Sequence, residues 1–226
     1  MTSRIERTAR WADGFLSKRL STLSRLWILV GVVLIGVSFF FPLWQINLVA
    51  PQYPDGLDLW MYGHQLAAGN DGRDLVEINI LNNYIGMEHI HEADFVEMTV
   101  IPFVLGVFIL FGLRAVVFGT MRALVDHVVL FIYFSLFSLA NFAYQLYSYG
   151  QNLDPTAPMN VEPFIPALIG TKQIANMTQT SLPHVSSFLL AGALVAFLLA
   201  VYFSRNEPTA LEAASVPPGE KEQPTG

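Results

Sequence analysis

Four long apolar stretches, at residues 26–43, 100–118, 124–147 and 188–204, constrain this chain more than any other feature. A bilayer's hydrocarbon core takes about 20 apolar helical residues, and lipid offers a backbone amide no partner. Each stretch must therefore satisfy its own hydrogen bonds, which a helix does. The sequence predicts a membrane all-α fold with four transmembrane helices. Its 226 residues are 53% hydrophobic and only 13% charged, a balance that suits one small bundle with folded connections.

The basic residues predict how such a bundle lies. Arg4, Arg7, Arg10, Lys18, Arg19 and Arg25 precede the first stretch, Arg114 and Arg122 bracket the short 119–123 connection, and Arg205 and Lys221 follow the fourth stretch. Only Arg73 and Lys172 fall in the two long connections. The positive-inside rule then places both termini in the cytoplasm and residues 44–99 and 148–187 on the other side of the membrane. The polar run before the first stretch is too long for a cleaved signal, so that stretch is expected to stay as an anchor. Within residues 1–25, Trp11, Phe15, Leu16, Leu20 and Leu23 recur at helical spacing beside Arg10, Lys18 and Arg19. That pattern fits an interfacial helix, and a basic arm that only sets topology fits it as well. Residues 205–226, rich in Pro, Glu, Ala and Gly, predict an unfolded tail.

The long connections predict a folded cap. Residues 44–99 carry nine carboxylates against one Arg73. Runs at Leu43–Val49 and Leu57–Tyr62 flank the turn-rich Pro51-Gln52-Tyr53-Pro54-Asp55-Gly56 and predict a short β-hairpin. Asp74 is placed to cap a helix through Leu75, Ile78 and Leu81, and Pro102 suits the first turn of the second spanning helix. Pro155, Pro158, Pro163 and Pro166 predict an extended second connection draped over the first. Gly192, Ala196 and Ala200 put small residues on one face of the last helix, for packing inside the bundle or against a partner subunit.

Chemistry concentrates at Met87-Glu88-His89-Ile90-His91. In an extended backbone Met87, His89 and His91 share a face, and imidazole with thioether suits copper, above all Cu(I). His64, Met61 and Met98 are further candidate ligands. The same residues also read as two solvated histidines above the bilayer, and a helical backbone would break the set. Arg122 stands four residues before Asp126, spacing for a helical ion pair beside His127. Asn141 lies deeper in that helix and suits a bond across helices. With no cysteine, disulfides, thiolate metal sites and cysteine nucleophiles are excluded. No phosphate loop, orderable catalytic triad or nucleic-acid signature is present. His127 and His184 fall on opposite sides of the predicted topology, which disfavours a bis-histidine haem.

Three strings, 50–57 (Ala-Pro-Gln-Tyr-Pro-Asp-Gly-Leu), 78–87 (Ile-Asn-Ile-Leu-Asn-Asn-Tyr-Ile-Gly-Met) and 168–176 (Leu-Ile-Gly-Thr-Lys-Gln-Ile-Ala-Asn), resemble a family of small bacterial four-helix membrane proteins associated with nitrous-oxide reductase and copper-maturation genes. In that family the second string resembles Asn-His-Tyr-Ile-Gly-Met; here Asn83 stands at the histidine position, so a ligand there would be lost or moved to His89 or His91. The resemblance implies an accessory role, not an established activity, in a bacterial inner membrane. The resulting expectation is a non-enzymatic membrane protein that handles copper for an exported cuproenzyme, with Met87, His89, His91 and His64 as ligands. A structural or assembly subunit of a larger membrane complex, with no cofactor of its own, is the alternative. Lipid and protein are the expected partners.

Overall fold

A computed structural model of the chain describes Glu6 and residues 12–209. Arg4, Arg7, Arg10, Trp11 and the tail from residue 210, on which part of the interfacial-helix and tail expectations rest, lie outside the described residues. Residues 12–16 are helical, and after them among the described residues come α1 (Thr22–Ser38), α2 (Arg73–Ile85), α3 (Val96–Phe118), α4 (Met121–Gln151) and α5 (Val185–Ser204). Helices α3, α4 and α5 are long and apolar enough to cross a membrane, while α1 is an apolar helix of 17 residues. Pro102 is not in a first turn. It is the seventh residue of α3, because the helix begins upstream at Val96 through the polar Glu97 and Thr99.

Between the helices five strands form one antiparallel sheet: β1 (Trp44–Ala50), β2 (Tyr53–Met61), β3 (Leu66–Ala68), β4 (Gly170–Ile174) and β5 (Met177–Pro183), in the order β3-β2-β1-β5-β4. The expected hairpin is present as β1–β2, with Asn47 opposite Asp58 and Trp44 opposite Met61. Its turn is tighter than the sequence suggests. Tyr53–Gly56 belong to β2, and the register slips between Leu48 and Ala50, a bulge that absorbs the extra residue. The second connection is extended only in part. Its last third is a second hairpin, β4–β5, and β5 pairs with β1, so both connections build one sheet.

The described chain divides into two compact units. One comprises the described residues up to 33, 108–132 and 192–209; the other comprises 34–107 and 133–191. In the second unit, one face of the sheet buries Leu48, Leu57, Leu59 and Met177 against Ile78, Leu81 and Ile85 of α2. The cap on α2 is not Asp74. Gly72, at φ +87°, precedes the helix, and Asp74 sits in its first turn, 3% exposed. Its carboxylate accepts from the Asp58 N–H at 2.9 Å and the Asn70 side-chain amide at 2.7 Å. A buried carboxylate has to find donors, and the bond from Asp58 ties α2 to β2.

In the first unit the helices close around His127, 1% exposed on α4. Its ring lies 5.7 Å from Phe108, 6.4 Å from Phe131 and 4.6 Å, edge to face, from Phe197. Neither ring nitrogen has a hydrogen-bond partner among the described residues. Gly112 makes this possible: a Cβ there would lie 2.4 Å from Val32 Cγ2 and 3.8 Å from His127 Nε2. Ala196 and Ala200 are buried in this unit, and the Ala200 carbonyl accepts from Ser24 Oγ at 2.7 Å, the close approach that small residues allow. The expected Arg122–Asp126 pair does not form; Arg122 reaches Asp13 at 3.3 Å instead. Residues 18–21 lie across the turn between α3 and α4, with Leu20 N–H donating to Gly119 O at 2.8 Å and Lys18 O accepting from Met121 N–H at 3.0 Å.

Candidate functional site

The site is built where α2 stops. Gly86 takes φ +82°, and the Met87 N–H reaches back to Asn82 O at 2.8 Å, a Schellman closure. Such a closure turns the following residue toward the helix it ends. Met87 therefore packs half-buried against the Leu81 and Ile85 cluster. Three residues on, Asn79 clamps the chain like a strand partner: its Oδ1 accepts from Ile90 N–H at 2.7 Å and its Nδ2 donates to Ile90 O at 3.1 Å. Ile90 is held to the same core. Glu88, His89 and His91 are left exposed on the other side.

The strict alternation expected for Met87, His89 and His91 is thus broken. The two histidines stay together, with ring centres 5.9 Å apart and planes tilted by 47°. Met87 lines a separate apolar cavity of about 80 Å³ among Ile78, Ile85 and Met177. His64 is elsewhere in the unit, stacked on Phe39 at 4.5 Å with Tyr62 at 5.7 Å, its Nδ1 buried and unpartnered among the described residues. Met61 and Met98 are buried with Trp44 and Phe95. Among the described residues no group of three or more His, Cys, Asp or Glu is placed to hold a metal ion.

His89 and His91 open onto a polar cleft of about 620 Å³. Glu88 and Asp94 line it on the loop side; Asn141, Tyr144, Gln145, Ser148 and Tyr149 line it from α4. The loop is held in shape by Asp94, whose carboxylate accepts from His91 N–H at 3.2 Å and whose own N–H donates to His91 O at 3.1 Å. Asn141 does bond across helices, donating to the Glu97 carboxylate of α3; the other Glu97 oxygen is buried without a partner among the described residues. The α4 wall was legible in principle. Asn141, Tyr144, Gln145, Ser148 and Tyr149 recur at three- and four-residue spacing, a polar stripe on one helix face, where the aromatic residues alone suggest an interfacial belt.

Metal–nitrogen bonds of roughly 2.0–2.1 Å put the centres of two imidazoles on one ion about 4.5–6.5 Å apart. The His89–His91 separation falls inside that range. The nearby Glu88 and Asp94 add negative charge, which raises the local cation concentration. No protein-family model, curated protein or solved structure matches this chain.

Proposed function

We propose that this chain is a non-enzymatic accessory protein with four membrane spans, carrying a folded cap that takes up copper at His89 and His91 and passes it to an exported enzyme of the nitrous-oxide reductase type. The observation that carries the reading is the histidine pair, spaced for one ion at the mouth of an acidic, solvent-open cleft. With Met87 turned into the apolar core, the available donors are imidazole nitrogen and carboxylate oxygen, a set better suited to Cu(II) than to Cu(I). A site with two fixed ligands and an open side holds an ion loosely, which suits transfer to a partner that completes the coordination.

The fourth span is α1. At 1.5 Å per residue its 17 residues reach about 26 Å, a little short of a hydrocarbon core of roughly 30 Å. The following Phe39, Phe40 and Phe41, all exposed, extend the apolar surface to the interface. The basic residues favour both termini inside the cytoplasm and the sheet outside.

Titration of the purified protein with Cu(II), followed by electron paramagnetic resonance, tests the metal reading. One equivalent should bind with nitrogen hyperfine structure, His89→Ala/His91→Ala should lose it, and His64→Ala should keep it. Equal binding by the double variant removes the site.

A second reading, an assembly subunit with no cofactor, is favoured by α2. Val76, Ile80 and Tyr84 form an exposed apolar stripe, at 60%, 56% and 43% exposure, on a helix of the cap. Four-residue spacing of such side chains is how a helix presents anchors to a protein partner. Co-purification of a fixed partner, lost on Ile80→Glu, with no copper uptake would favour it.

A further inference from the structure

Three arginines gather around the turn between α3 and α4, and none has an ion pair among the described residues. The Arg25 guanidinium packs on Gly119, so closely that a Cβ there would lie 2.2 Å from its Nη2. Gly119 ends α3 at φ +64°, and its carbonyl is already taken by Leu20 N–H. Arg114 holds its guanidinium 5.4 Å from the centre of the Phe118 ring. Arg19 is bridged through its backbone to Thr120. The other described arginines of this unit are provided for: Arg122 pairs with Asp13, and Arg205 lies 4.0 Å over the Tyr202 ring and donates to its hydroxyl. Arg25 is half-buried. A partly desolvated guanidinium with no acceptor among the described residues is suited to an anion from outside the chain.

The surroundings say what kind. Leu110, Val117 and Phe118 on the same helix as Arg114 are 65%, 75% and 65% exposed, an apolar strip running away from the basic turn. We infer that Arg25 and Arg114, with Arg19 beside them, bind the headgroup phosphate of an anionic phospholipid whose acyl chain lies along the α3 strip. The guanidinium fork matches a phosphate's paired oxygens, and the basic residues compensate the lipid's net charge, which a zwitterionic headgroup does not offer. This inference uses only the apolar character of the helices and is independent of copper.

The experiment takes the full chain purified in neutral detergent and mixed with equimolar phosphatidylglycerol and phosphatidylcholine, and counts retained lipid by native mass spectrometry. The native chain should keep phosphatidylglycerol in preference. Arg25→Gln and Arg114→Gln should each reduce that retention about fivefold, Arg25→Lys/Arg114→Lys should fall between, and Arg205→Gln should leave it unchanged. Phosphatidylglycerol should also raise the thermal midpoint, and inorganic phosphate at the same concentration should not. Equal retention of the two lipids by the native chain, an equal loss with Arg205→Gln, or a phosphate effect matching that of the lipid would each overturn the inference. The lysine pair keeps charge, so a glutamine variant that fails to fold does not remove the test.

Discussion

The Asp154 backbone N–H donates to the Gly86 carbonyl at 2.8 Å, joining the second connection to the residue where α2 ends. Two residues away in the first connection, Tyr84 O accepts from Met159 N–H at 3.0 Å. Together with the β1–β5 ladder, these bonds make the two connections one folded body. The loop bearing His89 and His91 starts from that junction, so its geometry depends on contacts more than sixty residues away in sequence.

Gly86→Ala is expected to destabilise this body more than Gly72→Ala. Both glycines have φ above +80°, where an alanine costs about 1 kcal/mol in backbone strain. At Gly72 a Cβ meets nothing within 4 Å, whereas at Gly86 it would lie 2.7 Å from Asp154 O. Thermal unfolding of the two variants should differ by at least a further ~1 kcal/mol. Equal losses would mean that the 154–159 segment yields freely.

Asp74→Ala should cost about 1–3 kcal/mol, because it leaves the Asp58 N–H without its acceptor inside the α2–β2 contact. Asp74→Asn should recover part of this, since its carbonyl oxygen still accepts one bond. Chemical denaturation, with the loss read from the midpoint at unchanged slope, checks the order.

His127→Leu is expected to keep or raise the stability of the bundle unit. The imidazole is enclosed by Phe108, Phe131 and Phe197 with neither nitrogen bonded among the described residues, so replacing it removes a desolvation cost and keeps the volume. Gly31→Leu should do the reverse, since a Cβ there already meets the Phe197 ring at 2.4 Å. A marked fall in melting temperature for His127→Leu would show that the imidazole is bonded to something beyond the described residues.

The second connection should carry a small acid-dependent term. Hydrogen bonds from the Thr156 hydroxyl and N–H to the Asp154 carboxylate hold its pKa below the usual 3.8. A lowered native pKa adds stability above the unfolded value and loses it as pH falls through the native one. Thr156→Val should therefore move the acid transition upward, by little because the group is exposed. At the alkaline end, the Tyr53 hydroxyl donates to Glu77, which raises its pKa above 10.0. That contribution is present below pH 10.0 and is lost as pH rises through the higher native value. Tyr53→Phe should flatten the alkaline limb of the stability profile.

The expected hairpin and the helix after it were legible because β1–β2 is punctuated by Pro51-Gln52 and α2 repeats Ile78, Leu81 and Ile85 on one face. The β4–β5 hairpin was not. Its inward positions include Gln179 and Ser181, so the alternation of apolar and polar residues is blurred, and Ala175 supplies the positive φ of the turn where a glycine would have announced it. The placement of Met87 was hidden in the same way. Alternation put it with the histidines, but the Schellman closure at Gly86 turned it into the core.

Sequence by itself determined the apolar helices and the strand-forming character of the first connection, because burial in lipid and local turn chemistry act on neighbouring residues. The tertiary structure decided which side chains meet. The pairing of β5 with β1, the seat of Asp74 beneath β2, and the separation of Met87 from His89 and His91 depend on contacts between distant segments and on where one glycine lets the chain turn. No periodicity within a single segment encodes such contacts.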